Sequence, residues 1–174
     1  MSYYLYPQKV CKAKVSYLVV KSLDNLPIWV LTVAYAAHII EEYFLDWRGW
    51  TESVSKFKLT WAEFFVANFA VIVLGLCSCF VGFACPLFSY MFVGLALANA
   101  FFAHIGTTII KRRFSPGLLT SIFLFLPICI WAYIEAAQKS LLTPLFIGVT
   151  LAGGCVIMMF PILLQMIKAK LKSK

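Results

Sequence analysis

Apolar residues occur in long unbroken runs, and this feature constrains the fold more than any other in the chain. One run extends over residues 60–82 and another over residues 118–137. A helix of roughly 20 apolar residues crosses the hydrocarbon core of a bilayer, whereas the strands of a membrane barrel alternate apolar and polar residues. The runs therefore predict an all-α fold, an integral membrane helical bundle, and argue against a β-barrel.

The composition agrees with this class. The chain is 63% hydrophobic and 13% charged, whereas soluble domains have roughly 45–50% apolar and 25% charged residues. The net charge of +8 would suit nucleic-acid binding in a soluble protein. Here lysine and arginine cluster in the tails and one loop, as contacts with lipid head groups require. We therefore expect membrane lipids and no nucleic acid as partners, and the sequence leaves the oligomeric state unknown.

The apolar runs predict five transmembrane helices within a chain of three parts. Residues 1–26 contain tyrosines and lysines without a long apolar core, which predicts an interfacial basic and aromatic arm and no cleavable signal peptide. Residues 27–167 would form the transmembrane domain and residues 168–174 a lysine-rich tail. The predicted helices are 27–45, 60–82, 88–110, 118–137 and 143–167, with an interface-lying loop at 46–58. No internal repeat supports an inverted-repeat transporter.

Basic residues are distributed unevenly between the two sides of such a bundle. Five spans place the loop after span one, the loop after span three and the C-terminus together, and this side carries ten of the 15 lysines and arginines. Because cytoplasmic loops are enriched in these residues, we expect a cytoplasmic C-terminus. The final residues Lys170–Lys174 also fit the KxKxx form of a dilysine retrieval signal, which would indicate the endoplasmic reticulum in a eukaryote.

Three ionisable residues interrupt the first predicted span: His38, Glu41 and Glu42. A charged side chain in the hydrocarbon region costs several kcal/mol, so packing alone does not explain this group. Positions i, i+3 and i+4 of a helix share a face. The spacing therefore predicts that the imidazole and both carboxylates converge on one side of the helix.

Depth in the membrane indicates which residues meet this face. His38 and His104 each lie about six residues from the ends of their spans, roughly 9 Å into the bundle, on the same side. Asn99 lies deeper on the span of His104, and Glu63 begins span two on the same side. We expect Asn99 and Glu63 to support the site by hydrogen bonds, although Glu63 also suits a helix start and Asn99 a helix–helix contact.

Two further features lie on this side of the bundle. The Pro116-Gly117 turn opens span four, where a helix N-terminus presents free N–H groups to anions. Lys111, Arg112 and Arg113 end span three, and they either anchor the helix end or receive the head group of a substrate. Glu135 lies at the opposite end of span four beside interfacial aromatic residues, so we exclude it from the site.

Several chemistries fit a cluster of His38, Glu41, Glu42 and His104. Imidazole and carboxylate are suitable ligands for zinc or iron, with an open position for water. Without a metal, the same residues would form a proton-transferring acid/base set or an intramembrane proton or ion path. A purely structural network of hydrogen bonds and ion pairs is the remaining alternative.

These motifs resemble a known family of small multi-pass membrane proteins, the HXXEE domain family. The resemblance rests on residues 38–42 (His-Ile-Ile-Glu-Glu), on Asn99 with His104, and on residues 114–117 (Phe-Ser-Pro-Gly) followed by Thr120. It covers about residues 27–165. Phe114 stands where the YxPG motif of the family has tyrosine. The resemblance implies a helical membrane fold and a site at these motifs, in a family that is functionally uncharacterised and suspected to be enzymatic.

The leading hypothesis is an integral membrane enzyme that acts on a lipid or another hydrophobic small-molecule substrate. It would be a metal-dependent hydrolase or an acid/base isomerase, with His38, Glu41, Glu42 and His104 as catalytic residues or as ligands of zinc or iron. The substrate would enter laterally between helices, with its head group near Lys111–Arg113. A proton-coupled transporter or channel and a non-catalytic membrane scaffold stay open as alternatives.

Overall fold

The structure, a computed structural model, describes residues 25–55 and 58–172, and all regular structure within these ranges is helical. The predicted N-terminal arm lies outside the described residues, apart from its last two. Six helices follow in order: α1 (Leu26–Phe44), α2 (Trp47–Ser55), α3 (Trp61–Val81), α4 (Pro86–Lys111), α5 (Leu118–Gln138) and α6 (Pro144–Lys172). A short 3₁₀ turn, Gly82–Ala84, joins α3 to α4.

Four of these helices, α3 to α6, are long and apolar enough to cross a membrane, and α1 with α2 makes a fifth if the bent pair is one span. This confirms the prediction of an all-α membrane bundle with about five spans. The 19 residues of α1 extend roughly 28 Å at 1.5 Å per residue, close to the thickness of a bilayer core. By length and composition, α1 passes as a span only together with α2.

The prediction of a loop at 46–58 is wrong for most of its length, because Trp47–Ser55 form α2. The chain turns at Asp46, whose φ is 50°, and the axis bends by 68° between α1 and α2. Asp46 Oδ1 accepts a hydrogen bond from the Gly49 N–H at 3.2 Å, which stabilises the first turn of α2. The Trp47 ring packs on Phe64, with ring centroids 5.8 Å apart. The helix therefore lies against the start of α3.

Helix α4 lies at the centre of the bundle. In an apolar stretch of 18 residues in α4, 39% of the residues are buried inside the bundle. The corresponding share is 17–22% in α3, α5 and α6. Helix α6 packs on it closely, because a Cβ atom at Gly94 would overlap the carbonyl oxygen of Thr150 and one at Gly154 would overlap the backbone of Gly94. Small residues allow this approach of two backbones. Helix α6 continues to Lys172, so most of the predicted tail extends this helix.

Two segments depart from α-helical geometry where α4 and α5 meet α1. Asn99–Gly106 in α4 and Ser121–Phe125 in α5 are π-helical. A π-helix closes its hydrogen bonds between residues five apart; it is rare in proteins and is frequently found at functional sites. The two π segments contact each other, and both carry residues that surround His38.

Candidate functional site

Two buried imidazoles form the centre of the site. His38 on α1 and His104 on α4 are both 0% exposed. Their ring centroids lie 4.7 Å apart, with the ring planes at 80°. Phe125 from the π segment of α5 packs on the His38 ring with a centroid separation of 4.7 Å. The structure thus brings together the two histidines that sequence analysis matched by depth.

Glu42 completes a cluster with both histidines. Its Oε1 lies 3.6 Å from His38 Nε2 and 3.5 Å from His104 Nε2, and the residue is only 6% exposed. One candidate ligand atom from each of the three residues lies within 4.8 Å of the others. These three side chains could therefore hold one metal ion; we call them the His-Glu-His cluster.

Asn99 contacts the cluster because α4 is π-helical there. In an α-helix, residues five apart are rotated by about 140° from each other, which would turn Asn99 away from His104. The wider turn of the π segment brings both residues to the side that faces α1. Asn99 Nδ2 lies 3.0 Å from His38 Nε2, and with this amide orientation it donates a hydrogen bond to that nitrogen.

The second ring nitrogen of His38 points to α5. Its Nδ1 lies 2.7 Å from Thr120 Oγ1, and this hydroxyl donates to Glu41 Oε2 at 2.6 Å. A hydroxyl has a single proton and an ionised carboxylate only accepts. The hydroxyl therefore accepts the hydrogen bond from His38, which assigns the ring proton to Nδ1. The Nε2 atom is left with a lone pair, in agreement with donation from Asn99.

A hydroxyl group also lies beside His104. Its Nδ1 lies 3.2 Å from Ser115 Oγ, and the Ser115 hydroxyl donates to the Pro116 carbonyl oxygen at 3.3 Å. In the tautomer with its proton on Nδ1, His104 donates this hydrogen bond to the serine oxygen. The Nε2 atom of His104 has no hydrogen-bond partner among the described residues and lies 3.5 Å from Glu42 Oε1.

Glu41 lies apart from the His-Glu-His cluster, although the sequence predicts it as a fourth ligand. Its Oε1 accepts from the backbone N–H groups of Gly117 at 3.1 Å and Leu119 at 3.2 Å. Its Oε2 accepts from the Thr120 N–H at 2.8 Å. The carboxylate thus satisfies free N–H groups at the start of α5. The anion at this helix N-terminus is a side chain of the protein itself.

Gly117 forms one wall of the site, at a position where another residue would be strained. Its φ of +90° lies in the left-handed region, which glycine adopts without a steric penalty. A Cβ atom here would lie 2.6 Å from Cε1 of His104 and 2.7 Å from Cε1 of His38. The Pro116-Gly117 turn therefore lets the backbone approach both imidazoles.

The other predicted site residues lie outside the cluster. Glu63 forms a capping box with Thr60 at the start of α3, which is the helix-start role that the sequence left open. Lys111, Arg112 and Arg113 are exposed at the end of α4, where Arg112 turns the chain with a φ of +52°. They precede Ser115, so the basic residues belong to the same connection that contacts His104.

Sequence reasoning missed the two hydroxyls that bind the histidines, Ser115 and Thr120. Both lie in the quoted Phe114–Gly117 motif or just after it, yet neither was assigned a role. The sequence feature that could have indicated both residues is a hydroxyl side chain close to the Pro116-Gly117 turn.

Two cavities lie elsewhere in the bundle. One, of about 270 Å³, is an apolar groove between α4 and α5 beside Leu97 and Cys129. The other, of about 240 Å³, is lined by Leu26, Trp131 and Glu135, at the start of α1 and the end of α5. The His-Glu-His cluster contributes to neither cavity, and Glu135 lies away from it, as predicted.

Comparison with known proteins gives one family and one relative. A family model described as "Protein of unknown function with HXXEE motif" matches residues 29–132. The "Uncharacterized protein YrkK" of Bacillus subtilis (strain 168) is 29% identical over 149 residues, which cover 76% of this chain and 89% of that protein. No solved structure matches the chain. The matched family region contains every residue of the cluster and every hydrogen-bonding partner of its histidines.

Proposed function

Because the chain belongs to the HXXEE family, whose function is unknown, we propose a function from the site. We propose a membrane enzyme that acts on a lipid or another hydrophobic substrate through a zinc or iron ion held by His38, Glu42 and His104. Within this class we favour a metal-dependent hydrolase.

The observation that carries the proposal is the convergence of three electron-pair donors. Nδ1 of each histidine lies at hydrogen-bond distance from a hydroxyl. With the ring protons on Nδ1, both Nε2 atoms are unprotonated and lie 3.6 and 3.5 Å from Glu42 Oε1, with the Asn99 amide also bound to that of His38. Groups of this kind repel one another in a buried site unless a proton or a metal cation lies between them. Ligands of tetrahedral zinc, bound at 2.0–2.1 Å, would be roughly 3.4 Å apart, close to these separations.

The ligand set also indicates the chemistry. Two histidines and one carboxylate bind zinc in hydrolases with an open position for water, and the same set binds iron in non-haem oxygenases. With zinc held by His38, Glu42 and His104, the site would have the chemistry to activate water for hydrolysis near neutral pH. The protein's own contribution is the orientation of both imidazoles by Thr120 and Ser115 and the exclusion of bulk water from the cluster.

The substrate class follows from the surroundings of the site. The cluster is buried within apolar helices, so we expect a substrate that approaches from the bilayer between helices. Lys111, Arg112 and Arg113 are exposed on the connection that also carries Ser115 and Gly117. Three cations beside the site favour an anionic head group, such as a phosphate, by charge attraction.

We further propose a multi-pass topology with a cytoplasmic C-terminus. Helices α1, α3, α4, α5 and α6 would each cross the bilayer, with α2 at the interface. The cluster would then lie near the cytoplasmic side, which in a eukaryote would be the cytoplasmic face of the endoplasmic reticulum. A fluorescent protein fused after Lys174 should then fluoresce, and alkaline phosphatase fused there should stay inactive; the reverse pattern would contradict this topology.

The metal is tested by elemental analysis of the full chain purified in detergent. We expect one zinc or iron per chain, lost in His104→Ala and Glu42→Ala and retained in Glu52→Ala, a matched change at an exposed glutamate of α2. Folded protein that contains neither metal and gains no thermal stability from added zinc or iron would contradict the metal centre.

Enzymatic activity is tested separately from metal binding. Purified protein should hydrolyse members of a panel of phospholipids, and Glu42→Gln should abolish the reaction. The opposing result is solute or proton transport in proteoliposomes that Glu42→Gln abolishes while no lipid is consumed. That outcome would replace the enzyme with a proton-coupled transporter.

A further inference from the structure

The two adjacent glutamates of the HXXEE motif perform different tasks in this structure. We propose that Glu41 is a positioning residue, which acts through the Thr120 hydroxyl to hold His38 with its Nε2 lone pair directed into the His-Glu-His cluster. This inference rests on the proposed metal centre in one respect, namely that the directed lone pair belongs to a metal ligand.

A chain of two short hydrogen bonds connects Glu41 to His38. Thr120 Oγ1 lies 2.6 Å from Glu41 Oε2 and 2.7 Å from His38 Nδ1. The carboxylate can only accept, so the hydroxyl proton points to Glu41 and the imidazole proton points to the hydroxyl. The direction of both hydrogen bonds is therefore set by the negative charge at one end of the chain.

Glu41 is itself held in place by helix α5. Its two oxygens accept from three backbone N–H groups and one hydroxyl, all within residues 117–120. Hydrogen bonds to an ionised acceptor contribute roughly 1.5–3 kcal/mol each. A carboxylate with both oxygens engaged in this way cannot swing toward the cluster. The charge stays fixed beside Thr120.

Helix geometry explains why neighbouring glutamates diverge. Consecutive residues of an α-helix are about 100° apart around its axis. Glu42 lies one turn after His38, on the same face as that histidine, and both reach His104 on α4. Glu41 is rotated toward the start of α5. The motif can therefore supply one carboxylate to the cluster and one to the support of its histidine.

The contacts of Glu41, Thr120 and His38 resemble the hydrogen bonds that orient histidines in metal sites. A metal-binding histidine usually donates its second N–H to a carboxylate or carbonyl, which fixes the tautomer, and loss of that partner lowers metal affinity by roughly 10–100-fold. In this chain a threonine hydroxyl stands between carboxylate and imidazole. Ser115 plays the corresponding part for His104, with a backbone carbonyl as the final acceptor.

The tautomer is measurable because the chain contains only two histidines. In full-length protein labelled with ¹⁵N-histidine and kept metal-free, nitrogen chemical shifts report which ring nitrogen carries the proton. We expect both histidines to carry it on Nδ1. Ser115→Ala should alter the signal of His104 alone, which assigns the two rings. A wild-type His38 with its proton on Nε2 would overturn the proposal without any variant.

Thr120→Val is the direct perturbation, because it removes the hydroxyl and keeps the shape and the backbone N–H that Glu41 binds. We expect His38 to lose its single tautomer and zinc affinity to fall by about 10–100-fold, with both restored in Thr120→Ser. Thr150→Val is the matched control, since Thr150 is a buried hydroxyl on α6 with three hydrogen-bond partners; it should leave tautomer and affinity unchanged.

The outcomes separate this proposal from the metal centre. If Thr120→Val folds and keeps both the wild-type tautomer and the wild-type zinc affinity, the positioning role is wrong. If wild-type protein binds no zinc or iron but His38 loses its tautomer in Thr120→Val, the metal centre is wrong and the orientation of His38 by Glu41 and Thr120 stands.

Discussion

The imidazoles of His38 and His104 meet edge to face, with ring planes at 80° and centroids 4.7 Å apart. This geometry directs Nε2 of each ring toward the same oxygen of Glu42. Both rings are fully buried, and a hydroxyl oxygen lies at hydrogen-bond distance from Nδ1 of each ring. Substitutions should therefore fall into two groups. Some should move the imidazoles and alter zinc binding, and others should alter only the packing of the helices.

The two glutamates should respond differently to removal of their charge. Glu42→Gln takes the only carboxylate out of the His-Glu-His cluster, so we expect it to abolish stoichiometric zinc binding while the protein still folds. Glu41→Gln leaves the cluster intact but weakens the contact of α1 with α5, at a cost of about 2–3 kcal/mol. We expect a lower melting temperature and one zinc per chain at saturation. Equal effects of the two variants on zinc stoichiometry would contradict this division.

Gly117→Ala should damage stability and metal binding together. The left-handed conformation costs a residue with a Cβ roughly 1–2 kcal/mol, and the added methyl would push both imidazoles away from Glu42. We expect a lower melting temperature and a zinc affinity reduced at least about tenfold. Gly148→Ala is the control, because a Cβ there meets nothing within 4 Å. Wild-type zinc affinity in Gly117→Ala would show that the backbone approach is irrelevant to the site.

Gly94→Ala should damage stability alone. The added methyl would overlap the Thr150 carbonyl oxygen and separate α4 from α6 there, and overpacking of this kind costs about 1–3 kcal/mol. Because the His-Glu-His cluster lies between α1 and α4, zinc bound per folded chain should not change. Thermal unfolding in detergent and elemental analysis of the folded fraction measure the two effects. Loss of zinc from the folded fraction would mean that α6 also supports the cluster.

Asn99→Ala should raise the stabilisation that zinc provides. The Asn99 amide donates to His38 Nε2, the lone pair that a metal needs, so the amide stabilises the metal-free protein and competes with the ion. We expect a lower melting temperature without zinc and a larger increase on adding it. Asn68→Ala is matched, since its amide donates to the Phe64 carbonyl oxygen of its own helix. A smaller zinc-induced increase in Asn99→Ala would instead make Asn99 a helper of metal binding.

The fold follows from the sequence because span length and apolarity are local properties. The pairing of His38 with His104 follows as well, since depth along two helices can be counted from their ends. The different positions of the Glu41 and Glu42 side chains could not be predicted by counting residues, because they depend on the rotation of α1 relative to the start of α5. The partnership of Asn99 with His38 depends on a π segment, and no residue type marks that segment in the sequence.

The hydroxyl groups that contact the histidines could not be predicted from the sequence either, for a physical reason. Serine and threonine are common in membrane helices and bond to their own backbone in most places, as Thr150 does with Phe146. Only the tertiary arrangement turns Ser115 and Thr120 toward imidazoles. Likewise, the helix of Trp47–Ser55 is short and rich in residues of both polarities, so composition predicted a loop where local capping produces a helix.

The attachment of Glu41 to residues far along the chain bears on how the protein is made. Gly117 follows Glu41 by 76 residues, which a ribosome adds in roughly 4–15 s at typical rates of synthesis. During that interval the ionisable residues of α1 lack their partners on α4 and α5. We therefore expect α1 to depend on the insertion machinery until α4 and α5 have been synthesised. Chains truncated before α5 should be the ones that quality-control proteases remove.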